Sequence, residues 1–172
     1  ITNKQKVITT VAGDAFTAGT VGTVRMQLVE YSQKYTVTVN GTDYTTNTRA
    51  GDTASSDADV TNFLSATDIL GALKTLIDAA SISGLNTLVI GSTLELWSTG
   101  AAFTLSAQGG RSGDSLSSYQ DEVDLSTELA SQTKHDRVVT IKNTSAPADT
   151  YYAKFVANDT SGSAPYFGSG NW

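Results

Sequence analysis

A predominantly β fold of the α+β class is predicted by three features of this chain. Short runs of period-two alternation recur along it, an Asn40-Gly41 pair joins two of them, and helical periodicity is confined to 57–80. The expected arrangement is a ββαββ-like unit with one main helix, inserted in or joined to a small antiparallel β lobe.

The stretch 57–80 reads DADVTNFLSATDILGALKTLIDAA. Val60, Phe63, Leu64, Ile69, Leu70, Leu73, Leu76, Ile77 and Ala80 recur at steps of three and four, which places them on one stripe. Ser56 with Asp59 resembles a capping box. Thr67-Asp68 offers a second start, which would shorten the main helix to 68–80. Gly71 costs about 1 kcal/mol in a helix interior, so close backbone approach to the sheet is its expected reason. Gly84 marks the stop.

The strands follow in order. Residues 6–11 alternate, and so do 21–30, where Val24, Met26 and Leu28 share a face. Residues 35–46 form the clearest local signal, because Asn-Gly supplies the two positive φ angles of a type I′ turn. That turn sets Val39 opposite Thr42, Val37 opposite Tyr44 and Tyr35 opposite Thr46. Tyr35, Val37, Val39 and Tyr44 then face a core, and Thr36, Thr38, Asp43 and Thr45 face solvent. After the helix, 87–91, 93–98 and 103–108 read as strands, with 93–98 paired to 103–107 across a turn at 98–100. The glycine-rich 109–119 leads into a short helical piece, and 125–130 forms a single turn. Strands at 137–143 and 151–157 and a last edge strand at 166–172 complete the chain.

Pairing of 6–11 and 21–30 with 137–171 would divide the molecule into two lobes. One is discontinuous, from 1–33 and 109–172; the other, 34–108, holds the main helix.

The chain has 172 residues, a net charge of −6 and a pI near 4.5. It contains 0 cysteines, which excludes disulfides, thiolate metal sites and a cysteine nucleophile. Its 11 Lys and Arg are scattered, whereas sequence-independent DNA binding needs them clustered. No apolar run is long enough to span a membrane, so no membrane insertion is predicted, and no signal peptide is visible. The first residue is Ile1 rather than Met, as in an interior fragment or a processed product.

Chemistry-bearing residues are sparse. His135, the single histidine, stands beside Asp136 without a nucleophile elbow and is expected to be an exposed loop residue. Asp121-Glu122 and Asp57/Asp59 could serve as glycosidase carboxylates only at a set separation, and sequence does not define one. Asp52, Asp57 and Asp59 are hard ligands without calcium-loop spacing. Gly109-Gly110-Arg111-Ser112-Gly113-Asp114 lacks the Walker lysine and reads as a turn needing positive φ, with Arg111 and Asp114 paired across it. Asn40, Asn143 and Asn158 match the glycosylation acceptor pattern by chance in a Thr-rich chain. Tyr151, Tyr152, Tyr166, Phe167 and Trp172 are expected in core or interface positions, with glycan binding as the competing role. The expected catalytic, cofactor and metal residues are therefore none.

In order, YTVTVNGTDYTT, the helix ending ALKTLIDAA, TLELWSTGAAFTLSAQGGRSGDSLSSY and RVVTIKNTSAPADTYYAKFV resemble the tail nozzle proteins (tail tubular protein B) of short-tailed bacteriophages. The opening ITNKQKVITT is similar to a short strand that precedes this region in that family. The turn GGRSGD is longer than the family's form, and 117–136 departs from its pattern. The resemblance implies an interior fragment of a virion structural protein, located in the phage tail and without enzymatic activity. It implies a homo-hexameric ring in the full-length protein, next to the tail adaptor ring and tail fibres. Such a ring retains packaged DNA and lets it pass without specific binding. Asn40, Gly41, Arg111, Asp114, Tyr166 and Trp172 are the expected subunit or partner contacts. A host-receptor or glycan-binding module and a tail-associated polysaccharide hydrolase using Asp121 and Glu122 are the competing readings.

Overall fold

A computed structural model describes residues 18–51, 60–61, 64–162 and 164–172. In chain order the elements are β1 (Val21–Met26), β2 (Lys34–Val39), β3 (Thr42–Thr48), β4 (Val60–Thr61), α1 (Ala66–Ala79), β5 (Leu85–Ile90), β6 (Thr93–Ser98) and β7 (Leu105–Gly109). They continue as β8 (Leu116–Tyr119), β9 (Glu122–Val123), β10 (Gln132–Lys134), β11 (Val138–Ile141), β12 (Tyr151–Lys154), β13 (Val156–Ala157) and β14 (Phe167–Asn171). The fold is α+β and predominantly β, with a single α-helix among the described residues.

Local chemistry sets the β2–β3 hairpin. Asn40 at φ 50° and Gly41 at φ 78° make the turn, and the pairs Val39–Thr42, Val37–Tyr44 and Tyr35–Thr46 follow as expected. Tyr35, Val37 and Val39 are fully buried, and Tyr44 packs against their cluster. Thr36 is also buried, at 3% exposure, contrary to the solvent face expected for it, and it bonds Thr45 across the pair at 3.0 Å.

The helix begins at the later of the two starts. Ser65 is its N-cap, extended at φ −128° and ψ 153°, and its hydroxyl accepts from the Asp68 amide at 3.1 Å. Val60 and Thr61 are therefore not helical; they pair in parallel with Asn47 and Thr48 of β3, as suits a β-branched pair beside an open edge. Ser56, Asp57 and Asp59, the expected cap, lie outside the described residues, as does the strand expected at 6–11. Ile69, Leu70, Leu73 and Ile77 are buried, and Leu76, at the stripe's edge, is 41% exposed. Each buried side chain stabilises by about 1.5–3 kcal/mol, which outweighs the cost of Gly71. A Cβ built on Gly71 meets nothing within 4 Å, so close approach to the sheet does not explain that glycine.

Strand partners depart further from expectation. β6 pairs with β5 and β1, and β7 pairs with β2, so 93–98 and 103–107 do not form a hairpin. The shorter connection prevails: Gly91-Ser92 joins Ile90 to Thr93 with Gly91 at φ 57°, as a type II′ turn requires. β1 lies between β6 and β8 rather than beside 137–171. The piece expected to be helical after the glycine-rich turn is β8, drawn into the sheet by β1. Two 4-stranded sheets result, β5-β6-β1-β8 and β4-β3-β2-β7. They adjoin where Gly109 bridges Asp114, and α1 packs against β5 and β6 of one and β2, β3 and β4 of the other. Val24, Met26, Leu94, Leu96 and Leu116 meet Tyr35, Val37, Val39, Phe103 and the helix stripe in one core.

Residues after Tyr119 build two 3-stranded sheets, β12-β11-β9 and β10-β14-β13. The strand expected over 151–157 is divided at Phe155, which is fully buried, and its halves join different sheets. β14 is central between β10 and β13, so it is not an edge. Tyr119, Val123, Leu129, Ala130, Val139 and Ile141 form a second, separate core, with Trp172 packed against it.

The glycine-rich turn fixes the corner between the first two sheets. Gly110 has φ 78°, and a Cβ there would lie 2.5 Å from Glu30 Oε2 and nearer still to Ser115 Oγ. Gly110→Ala is expected to destabilise by about 1–3 kcal/mol through strain and overpacking, and Gly71→Ala to stabilise by about 1 kcal/mol. Urea denaturation of both variants checks the pair of signs.

Candidate functional site

Alternation along β1, β6 and β8 gives their sheet two differently used faces. Val24, Leu94, Leu96 and Leu116 point into the first core. On the opposite face the register aligns Glu95, Thr23 and Tyr119 in one row across three strands. Arg137 lies on that row. Its guanidinium carbon stands 4.6 Å from the Tyr119 ring centroid. Nη1 donates to Thr23 Oγ1 and to Thr133 Oγ1 (3.1 Å) and faces Glu95 Oε2 at 3.5 Å. Nη2 donates to the carbonyls of Gln120 (2.8 Å) and Tyr119 (3.4 Å). Thr23 Oγ1 in turn donates to Glu95 Oε1 at 2.7 Å.

The pair is removed from water, with side chains 3% and 0% exposed. Burial raises the Glu95 carboxyl above its ordinary pKa, and the Arg137 charge and the threonine hydroxyls oppose that rise. Arg137 reaches this place through a tight turn. Asp136 adopts φ 62°, the Asp136 amide donates to Phe155 O at 3.0 Å, and the Phe155 amide donates to Arg137 O at 2.8 Å. His135 anchors the same turn. Its Nδ1 accepts from the Ala157 amide at 3.1 Å and its own amide donates to Tyr166 O at 2.9 Å, so it is half-buried rather than an exposed loop residue.

The residues expected as partner contacts are spread over the molecule. Asn40 and Gly41 are exposed at one end of β2, where Asn40 Oδ1 accepts from the Thr104 amide at 3.0 Å. Arg111 and Asp114 are exposed near the other end, four residues away along β2 or about 13 Å. No ion pair joins them; the Arg111 amide instead donates to Glu30 Oε2 at 3.1 Å, and Ser115 Oγ donates to the same oxygen at 2.9 Å. Tyr166 is half-buried with its ring edge toward His135. Trp172 is half-buried as well; its Nε1 donates to Ala130 O at 2.7 Å and its ring lies 5.3 Å from Phe155. Phe167 packs 4.6 Å from Trp97, whereas Tyr151 and Tyr152 are 50% and 72% exposed.

The acidic candidates have structural partners. Asp121 Oδ2 accepts from the Gly19 amide at 2.6 Å, and Glu122 pairs with Lys142. Asp52, Asp57 and Asp59 lie outside the described residues, and among those described no three His, Cys, Asp or Glu gather to hold a metal. No described helix is long and apolar enough to cross a membrane.

The chain belongs to the bacteriophage nozzle protein family, whose match extends over residues 1–172, in agreement with the resemblance carried by its motifs. It is thus a structural component of the virion tail, a setting in which it assembles with other tail proteins. No curated protein sequence matches the chain.

Arg137→Ala would leave Glu95 buried without its cation, and an expected loss of about 3–5 kcal/mol in denaturant unfolding follows. Lys at 137 restores only part of it, having no fork to span Glu95 and the carbonyls.

The hydrogen bond from Lys154, with the nearby charges of His135 and Lys154, holds Asp136 below the usual carboxylate range. The resulting stability is present above the unfolded value of about 4 and is lost as pH falls through the lower folded value. The stability advantage of the wild type over Lys154→Met, followed by urea midpoints from pH 6 to 2, is expected to vanish at the acid end.

Proposed function

We propose that the chain is a wall module of the tail nozzle, with a structural and non-enzymatic role. In the full-length homo-hexamer it forms part of the end of the tail tube, retains packaged DNA and lets it pass during ejection. The family match along the whole chain carries this reading. The charge balance supports it: a net −6 repels a polyanion at short range. Several cations are also held by acids, as in Lys74–Asp78, Lys142–Glu122 and Lys154–Asp136. The exposed Asn40-Gly41 tip and the Arg111–Asp114 turn are the surfaces offered to neighbouring subunits, the adaptor ring or tail fibres.

Exposed Tyr151 and Tyr152 favour one further reading, a glycan-binding surface on the same tail component. Saturable loss of host-glycan binding on Tyr152→Ala would establish it.

Cryo-electron microscopy of intact virions is expected to place this module in a sixfold ring at the end of the tail; a module outside any such ring overturns the reading. Duplex DNA is expected to show no measurable binding to the chain at about 0.15 M salt, and a steep salt-dependent affinity would refute the sliding-wall role.

A further inference from the structure

We propose that residues 121–172 are a lobe that undocks as one body from the outer face of β1, β6 and β8. Its hinge is Tyr119–Asp121 and its latch is Arg137. The inference deepens the proposed nozzle role by naming an element that moves.

Three observations carry it. Strands β9 to β14 form their sheets only with one another, and β1 to β8 do likewise, so among the described residues the chain crosses the seam once, between β8 and β9. Each side is built on a core, one around α1 and the other around Val139 and Ile141, and of the first side only Tyr119, at the hinge end of β8, enters the second. Between these cores lies a layer whose buried members include Thr23, Thr93, Glu95, Thr133 and Arg137. Opening such a seam exposes mainly hydroxyls and charges that water solvates well, together with the Tyr119 ring at the hinge, while the core around α1 remains closed. Rehydration of Arg137 and Glu95 offsets much of the attraction lost between them.

The latch also grips the hinge. Arg137 Nη2 donates to the carbonyls of Tyr119 and Gln120, the residues that must rotate for the lobe to swing. Further ties line the seam: Arg25 Nη1 donates to Thr127 O at 2.8 Å, the Gly19 amide to Asp121 Oδ2 at 2.6 Å and the Ala130 amide to the Tyr119 hydroxyl at 3.0 Å, and Trp97 lies against Phe167. Of these groups the Arg137 guanidinium makes the most contacts across the seam, to Thr23, Glu95 and the carbonyls of Tyr119 and Gln120, so it is the latch.

The chain has 0 cysteines, so labels can be placed at will. Ser83→Cys, beyond the helix, and Tyr152→Cys, on the lobe, would carry nitroxides in the full chain, with their separation read by pulsed electron resonance. One narrow distance is expected with the latch intact. Glu95→Gln, and more strongly Arg137→Met, should add a longer and broader population. Amide exchange in β6 and β11 should stay as slow as before. An unchanged narrow distance in the folded variants overturns the proposal. So does loss of β11 protection together with the distance change, because the lobe would then be unfolding rather than undocking. If Arg137→Met does not fold, Glu95→Gln decides. The nozzle reading is tested separately on virions, so either can fail alone.

Discussion

One guanidinium governs how the two halves of this molecule meet. An unpaired cation in a protein interior is prohibitively costly, so Arg137 can be buried only where anionic and dipolar acceptors converge. They converge because Glu95, Thr23 and Tyr119 occupy one cross-strand row, and because the Tyr119 and Gln120 carbonyls end that row. The planar fork reaches several of these at once, as a point-charge ammonium would not. Register is the other half of the arrangement. A one-residue slip of β6 would turn Leu94 and Leu96 to the seam and Glu95 into the first core. The pair thus penalises every alignment except one. Its contribution lies more in that specificity than in net stability, since apolar residues of similar volume can match a buried ion pair in stability.

A second constraint acts at the corner between the first two sheets. Glu30 accepts from the Arg111 amide and the Ser115 hydroxyl, and the Tyr35 hydroxyl accepts from the Glu30 amide at 3.0 Å. Tyr35 is wholly buried, so its ring fills the space a side chain at 109 would need: a Cβ on Gly109 would stand 3.1 Å from Tyr35 Cγ. Burial raises the Tyr35 hydroxyl's pKa and keeps it a neutral donor to Leu28 O. Backbone, tyrosine and carboxylate close the corner together, and α1 closes the opposite side with an apolar stripe. The first core is enclosed by two different kinds of chemistry.

What could be read from sequence follows the range of the interactions. The Asn40-Gly41 hairpin is legible to the residue because its register depends on two φ angles. The helix stripe is legible, and its start is half so: α1 begins after Ser65 because 60–61 find a strand partner in β3, a contact no local pattern reports. The 93–98 strand pairs with 85–90 and not with the expected 103–107, because Gly91-Ser92 makes a turn with fewer residues than 99–102. Glu95 and Arg137 could not be recognised as partners, since each alternation pattern shows one buried face and the second is buried by a distant lobe. The one local hint is an acid between Leu94 and Leu96, beside Trp97. Among the expected contact residues, exposure holds for Asn40, Gly41, Arg111 and Asp114, while Trp172 is half-buried and its indole is already bonded.

The distribution of charge links this architecture to the proposed role. Phosphate backbones bind by releasing counterions to free lysines and arginines. Here the cation most deeply placed, Arg137, is sealed at the seam, and Lys74, Lys142 and Lys154 each pair with a nearby acid. Surface ion pairs of this kind add little to stability, but they reduce the positive field a passing polyanion meets within the Debye length of about 8 Å at physiological salt. A wall built to hold DNA by adhesion would leave those side chains free. Holding it by shape instead, and releasing it by a change of shape, requires a polar joint that can part without unfolding. The seam occupied by Arg137 has the composition of such a joint.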